Sequence, residues 1–301
     1  MKHILMAGVA LVAMSSMIGS ANAAYALVMK GPGAGNPFWA AVEKGAKDKG
    51  AELGVDVVVV APPAETDVQA QVSQVEDLIA QKVEGIALAP TDPGALAPVV
   101  DAAKAAGIPV VFVDTLGSNE GVTFIGTNNE VGAALAAKYM CDNLPAGSEV
   151  AILQGVMAHS TAQFRANGSK QGLEACGLKV VAEQTAEWDR AKGLSVTENI
   201  LAGNPNIKGI FGSNDNMALG AVEALKAAAK KDVMVVGFDA NPDAAAAVLA
   251  GDMAATVAQA PANMGGFGIQ ALVDLKGGKT IEPVIDTGTV LVTKDNAEQY
   301  K

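Results

Sequence analysis

Histidine is almost absent from this 301-residue chain, which has only His3 and His159. A histidine-rich metal site is therefore excluded, and no metal or cofactor is expected. Arginine is equally scarce, with Arg165 and Arg190 alone, and 21 Lys+Arg against 32 Asp+Glu give a formal net charge of −11. A chain this acidic lacks the basic face that phosphate backbones require, so no nucleic-acid partner is expected. Aromatic residues make up 4%, with two tryptophans, Trp39 and Trp188. The two cysteines, Cys141 and Cys176, both fall late in predicted helices; in an oxidising compartment they either pair or stay as buried thiols, and spacing does not choose between these. Long apolar runs are confined to the start. Lys2 and His3 precede Ile4 to Ile18, apolar apart from Ser15 and Ser16, and Ala21-Asn22-Ala23 offers an A-x-A site. This reads as an export signal cleaved after Ala23, too short for a comfortable membrane span. No cysteine lies beside the site to carry a lipid anchor. A soluble chain from Ala24 with a periplasmic address is expected, and loss of Lys2 takes its charge from −11 to −12.

What is present is regular alternation. Tyr25–Met29 is an apolar run, and a helix is predicted from Pro37 to Leu53, with Asn36 as N-cap and Pro37 at the first helical position. Val55–Val60, Gly85–Ala89 and Ile108–Val113 read as strands buried on both faces, with Val122–Ile125 a short fifth. Helices are predicted over 65–82, where Val68, Val72, Val75, Leu78 and Ile79 recur at helical spacing, and over 93–106. A second array follows, with helices over 130–143, 162–176, 189–202, 216–230 and from Asp243. Its strands are Val150–Leu153, Leu178–Ala182, Ile207–Phe211, Val233–Phe238 and Ala254–Ala258. A last helix, 264–276, and strands near 284–286 and 289–292 finish the chain. Two βα arrays of similar size imply an α/β fold, with two parallel sheets covered by helices on both faces. Polar residues collect at the predicted strand ends: Asp114, Asn214, Asp215, Asp239 and Gln259. Facing rims of this kind make a polar cleft, and Phe38 and Trp39 either face that crevice, where such sheets bind ligands, or pack in the core.

Motifs of catalysis fail in detail. Gly31-Pro32-Gly33-Ala34-Gly35 follows a strand, but a dinucleotide fingerprint needs glycine at position 36, which is Asn36. Gly278-Lys279-Thr280 resembles the end of a phosphate loop, but the earlier glycine would fall on Val273. His159 and Ser160 are neighbours in sequence, which is no sign of a nucleophile–base pair. Asp114 and Asp239 could serve glycoside cleavage or simply accept from sugar hydroxyls, and residue type does not separate the two. Asp239 and Asn214 have a second reading as turn or cap residues. Arg165 is either solvated or a five-donor fork aimed into the cleft.

Taken in order, Asn36-Pro37-Phe38-Trp39, Ala89-Pro90-Thr91-Asp92, Val113-Asp114, Trp188-Asp189-Arg190, Asn214 to Gly220, Val235 to Asp239 and Ala258-Gln259 resemble the periplasmic sugar-binding proteins of the ribose-binding type. The allose-binding branch looks nearest, and the resemblance covers 25–293. It implies the periplasmic-binding-protein type I fold, with two Rossmann-like lobes joined by three crossovers near 126–128, 259–261 and 286–288. The first lobe would be 24–126 plus 260–286, and the second 127–259 plus 287–301. By similarity, Phe38, Trp39 and Trp188 stack on a sugar, while Lys30, Asn36, Asp114, Arg165, Asn214, Asp239 and Gln259 hydrogen-bond its hydroxyls. The resemblance also implies a monomer that delivers a neutral monosaccharide or polyol to an ABC permease in the inner membrane. A chemoreceptor or sensor kinase is a further partner compatible with it, and an exported carbohydrate-active enzyme is the rival reading. Ribose binders of this type carry asparagine where Ala89 stands and arginine where Thr115 stands. Their loop matching Gly31 to Gly35 is shorter by about two residues.

Overall fold

The structure, a computed structural model, describes residues 24–301. The export signal and its cleavage after Ala23 lie outside the described residues. The chain runs β1 (Tyr25–Val28), α1 (Pro37–Leu53), β2 (Val57–Val60), α2 (Val68–Ala80), β3 (Gly85–Leu88), α3 (Pro93–Ala105), β4 (Val110–Val113) and β5 (Phe124–Gly126). A second run follows as α4 (Asn129–Asn143), β6 (Glu149–Gln154), α5 (Ser160–Ala175), β7 (Lys179–Thr185), α6 (Arg190–Gly203), β8 (Gly209–Gly212), α7 (Asp215–Ala227), β9 (Met234–Asp239), α8 (Pro242–Ala250) and β10 (Ala255–Ala258). The chain closes with α9 (Pro261–Lys276), β11 (Val284–Asp286), β12 (Val290–Val292) and a 3₁₀ turn at Ala297–Tyr300.

The strands form two six-stranded sheets, ordered β11-β5-β4-β3-β1-β2 and β12-β10-β9-β8-β6-β7. Neighbours are parallel except for the β10–β12 pair. The chain crosses between the sheets three times, after β5, after β10 and between β11 and β12. The continuous apolar strands are buried on both faces, as period-two geometry requires. In the first sheet, Ala26, Val28, Ile86 and Leu88 join the apolar cluster on one face, while Leu27, Ala87, Val111 and Val113 join the cluster on the other. α1 and α9 lie side by side on the second of these faces, close enough that a Cβ at Gly45 would stand 1.9 Å from the Ala262 carbonyl oxygen.

Three expectations from sequence need correction. The strand expected at Val55–Val60 starts at Val57, because Gly54 takes a left-handed cap (φ 67°) and the Val55 N–H returns to the Gly50 carbonyl. This strand is also the sheet edge, half-buried rather than enclosed. The expected strand at 178–182 runs on to Thr185, since an exposed edge strand can carry the polar Glu183, Gln184 and Thr185. The helix expected from Glu65 begins at Val68, with Asp67 capping Ala70 N, and this frees Glu65 for another role.

Cys141 and Cys176 are disulfide-bonded, tying α4 to the end of α5 across 35 positions of sequence. A closed loop of that length is expected to contribute on the order of 2–4 kcal/mol, chiefly by restricting the unfolded chain. The C141S/C176S variant should therefore unfold at lower urea than the oxidised protein, and reductant should lower the midpoint of the wild type alone. Equal midpoints for the two proteins without reductant would contradict this. Among the described residues no helix is long and apolar enough to cross a membrane.

Candidate functional site

The C-terminal ends of both sheets meet around one small, tightly lined cavity. The end of β1 is fixed from behind by Gln71, whose amide donates to the Met29 and Ala89 carbonyls while its oxygen accepts from Thr91 N and Oγ1. Lys30 follows directly and enters the cavity wall. Its ammonium pairs with Asp114 at 3.0 Å and donates to Thr115 Oγ1 at 2.7 Å and, across the cleft, to Thr161 Oγ1 at 3.3 Å. It lies 5.6 Å and 5.7 Å from the ring centroids of Trp39 and Trp188, between the two. Lys30 thus meets three protein acceptors while lining the cavity, where the sequence reading expects it to donate to the ligand.

All ten residues singled out from the sequence line this cavity: Lys30, Asn36, Phe38, Trp39, Asp114, Arg165, Trp188, Asn214, Asp239 and Gln259. Asn36 caps α1, its Oδ1 accepting from Phe38 N at 3.2 Å, so its amide nitrogen is left for the cavity. Phe38 and Trp39 meet edge to face at 5.1 Å. Asn214 also caps a helix, accepting from Met217 N at 2.9 Å, and donates to the Trp188 carbonyl at 3.1 Å. Both asparagines thus cap a helix while lining the cavity. Arg165 donates from Nε to Asn129 Oδ1 at 2.7 Å and from Nη1 to the Ser213 carbonyl at 2.8 Å, with its guanidinium 3.8 Å from the Phe238 ring centroid. Gln259 donates to Asp239 Oδ1 at 2.6 Å and accepts from Thr127 at 2.7 Å, linking two crossovers to the site. Trp188 lies flat against Gly155, where a Cβ would come within 2.1 Å of the indole.

Asp215 departs from the expected rim. It is fully buried away from the cavity and accepts from Asn241 N at 2.8 Å and Thr256 Oγ1 at 2.6 Å. Burial, followed by the nearby Asp239 carboxylate, pushes its pKa well up. Glu65 and Thr161 line the cavity and were not singled out. The sequence signal for Glu65 was weak, because helical periodicity absorbed it into the helix that follows.

Three carboxylates share one pattern. Glu65 Oε1 accepts from Trp39 Nε1 at 2.7 Å, Asp114 Oδ2 from Thr115 and Lys30, and Asp239 Oδ1 from Gln259 and Arg165. The second oxygen of each has no hydrogen bond among the described residues. Burial raises the pKa of Glu65, against the pull of Lys30, and raises that of Asp239 to about 7, against the pull of Arg165. Asp114 (φ 59°), Trp188 (φ 65°) and Asp239 (φ 120°) all sit in backbone conformations rare for side-chain-bearing residues. Strain of this kind gathers where a site needs groups aimed against the local preference.

A cavity between two α/β lobes, walled by aromatic rings and edged by carboxylates with one oxygen free, fits a small-solute receptor. The chain belongs to the periplasmic binding protein family: the model described as periplasmic binding protein domain matches residues 25–280. It is 40% identical over 273 residues to the D-allose-binding periplasmic protein of Escherichia coli (strain K12), covering 87% of each chain. It is 38% identical over 260 residues to ribose import binding protein RbsB of Bacillus subtilis (strain 168), covering 86% of this chain and 84% of the relative. An ABC transporter solute-binding protein from Actinobacillus succinogenes with bound D-allose superposes with a TM-score of 0.86 at 31% identity, over 92% of this chain and 99% of the other. One from Agrobacterium vitis with bound D-fucose gives a TM-score of 0.87 at 33% identity, over 91% and 97%.

Proposed function

We propose that the protein captures a neutral monosaccharide or small polyol between its lobes and delivers it to an ABC importer from the periplasm, after cleavage of the export signal following Ala23. The observation that carries this reading is the set of three free carboxylate oxygens around one cavity that both lobes line. Sugar hydroxyls can donate to all three, and can also accept from Arg165 Nη2 and the Asn36 amide. An anionic ligand would meet Glu65, Asp114 and Asp239 against only Lys30 and Arg165, a mismatch in a buried site. Trp39 and Trp188 supply the apolar faces on which the C–H surfaces of a sugar pack. The lobes are taken as 24–126 plus 260–286 and 127–259 plus 287–301, with closure pivoting on the three crossovers. The protein acts by binding and carries out no chemistry on the sugar, which should be recovered unchanged after incubation.

A thermal-shift screen with D-allose, D-ribose, D-arabinose, D-fucose and myo-inositol tests this reading. A ligand at 100 times its Kd adds about 2.7 kcal/mol to the folded state and raises the midpoint. Both tryptophans lie at the cavity, so the sugar that shifts the midpoint should also change the intrinsic emission. Shifts with sugar phosphates and none with neutral sugars would overturn the reading. Calorimetric binding with unaltered emission would remove the tryptophans from the site.

A further inference from the structure

His159 is fully buried immediately before α5, and the site described above does not use it. Its Nδ1 lies 2.9 Å from Trp188 Nε1, and its Nε2 lies 3.1 Å from the main-chain carbonyl oxygen of Glu65. An indole N–H only donates, so Nδ1 must be the bare nitrogen and Nε2 must carry the proton, which it gives to the Glu65 carbonyl. The imidazole is therefore neutral and in a single tautomer. The 3.9 Å approach of Glu65 Oε2 to Nδ1 is accordingly not an ion pair. The Glu65 side chain meanwhile accepts the Trp39 N–H. Each lobe contributes one tryptophan, and each tryptophan gives its single N–H to this one pair. Three further bonds between the sheets' elements arise from the next two residues: Ser160 Oγ to the Leu116 carbonyl at 2.9 Å, Lys30 to Thr161 Oγ1 at 3.3 Å, and Thr161 Oγ1 with Thr115 Oγ1 at 2.9 Å. Residues 159–161 are thus a continuous contact strip between the lobes, and His159 is its one titratable member.

We propose that Glu65 and His159 form an interlobe latch, which sets the angle of both tryptophan walls on closure and holds Trp188 only while the imidazole is neutral. The latch rests on the reading of the cavity as a sugar site. Its pair spans both lobes, so the last bond, His159 Nε2–H to the Glu65 carbonyl, exists only when the lobes are together. The bond between His159 and Trp188 lies within one lobe; it does not depend on closure, but it is lost when Nδ1 takes a proton. The charged groups around the imidazole are Lys30 at the end of β1, Glu65 from the β2–α2 segment, Asp114 after β4 and paired to Lys30, and Arg165 farther along α5. Burial, then the Lys30 ammonium, holds the His159 pKa down to about 2 from its ordinary 6.5. Opening the lobes exposes the ring, which then takes up a proton on Nδ1 below its ordinary value and gives up the Trp188 bond, and acid favours the open form. Closure is complete in affinity terms above pH 6.5 and weakens as pH falls. Proton uptake at a group with the ordinary value lowers affinity by up to about tenfold at pH 5.5.

Asp239 titrates over part of the same range, so the wild type must be compared with a variant that keeps Asp239. H159Q supplies an acceptor for Trp188 and a donor for Glu65 without a titrating ring, whereas H159A supplies neither. The experiment is calorimetry from pH 7.5 to 5.5 with D-allose, or with whichever sugar of the thermal screen binds, together with NMR of the two indole N–H signals. The expected result is a wild-type loss of affinity about tenfold greater than that of H159Q over this range. The Trp188 indole signal should stay in place in H159Q and move in H159A, and H159A should bind more weakly at pH 7.5. Equal pH profiles for wild type and H159Q, or wild-type affinity in H159A, would overturn the latch. If no sugar binds the wild type at any pH, the sugar reading fails by itself. The latch is then decided by the indole signals, and a Trp188 signal that does not move in H159A refutes it.

Discussion

The D239N variant is expected to lose sugar affinity by about 100-fold while becoming more resistant to unfolding than the wild type at pH 8. Asp239 ends β9, with Oδ1 accepting from Gln259 at 2.6 Å and Oδ2 left over at the cavity. Asparagine keeps the shape and tolerates the positive φ at this position (120°) better than alanine would. One of its two terminal atoms must, however, become a donor. If the amide nitrogen faces the cavity, it meets a sugar hydroxyl that needs an acceptor; if it faces inward, it opposes Arg165 and Gln259. A hydrogen bond to a charged group is worth about 1.5–3 kcal/mol, and the upper end corresponds to about 100-fold in Kd. The stability gain has a separate cause. A carboxyl whose pKa is higher in the folded chain than in the unfolded one stabilises below the unfolded value, and that contribution is lost as pH rises through the folded value. For Asp239 the window runs from 3.8 to about 7, set by burial. At pH 8 the wild type therefore holds a buried charge that the variant lacks, and the difference in urea midpoint should shrink as pH falls towards 4. Equal affinity by calorimetry would reduce Asp239 to a turn residue, and a variant less stable than wild type at pH 8 would refute the buried-charge account.

This opposition between stability and binding explains which parts of the site could be read from the chain. Residues at strand C-termini are legible because parallel α/β sheets always present those ends to the ligand crevice. Asp114, Asn214, Asp239 and Gln259 needed only the strand boundaries, and all line the cavity. Asp215 was misplaced because it is one residue beyond Asn214 and enters the first turn of α7, which rotates its carboxylate down to Thr256 and Asn241. A one-residue step at a strand–helix junction turns a side chain from rim to interior, and periodicity does not resolve that step. Glu65 was missed for the opposite reason: an acidic residue just before an amphipathic helix reads as its solvated start. Only the Asp67 cap shows that α2 begins later. The pairing of His159 with Trp188, 29 positions apart, leaves no trace in local sequence, because it depends on how α5 and the segment before α6 pack on β6. The edge character of β2 was hidden by four consecutive valines, which fit a central strand as well as an edge.

Replacing Lys30 by methionine is expected to be the most destabilising single change at the site, by about 3–5 kcal/mol, because it leaves a buried carboxylate without its partner. The Lys30 and Asp114 side chains are each 4% exposed and lie 3.0 Å apart. Removing the ammonium strands Asp114 and also frees Thr115 and Thr161 of their donor. Methionine follows the stem of lysine, so packing between Trp39 and Trp188 is largely kept and the loss is electrostatic. The K30M/D114N double variant removes both charges together, and asparagine accepts the left-handed backbone at position 114 (φ 59°). It should recover most of the urea midpoint lost in K30M, as replacing a whole buried pair does. Sugar binding should not recover, because Asp114 Oδ1, one of the three free acceptors, is then no longer a charged oxygen. The two readouts thus separate what the pair does for the fold from what it does for the ligand. If K30M and the double variant unfold at the same urea concentration, the destabilisation arises from lost packing instead. If the double variant binds D-allose like wild type, Asp114 serves only to hold Lys30, and the acceptor set of the cavity reduces to Glu65 and Asp239.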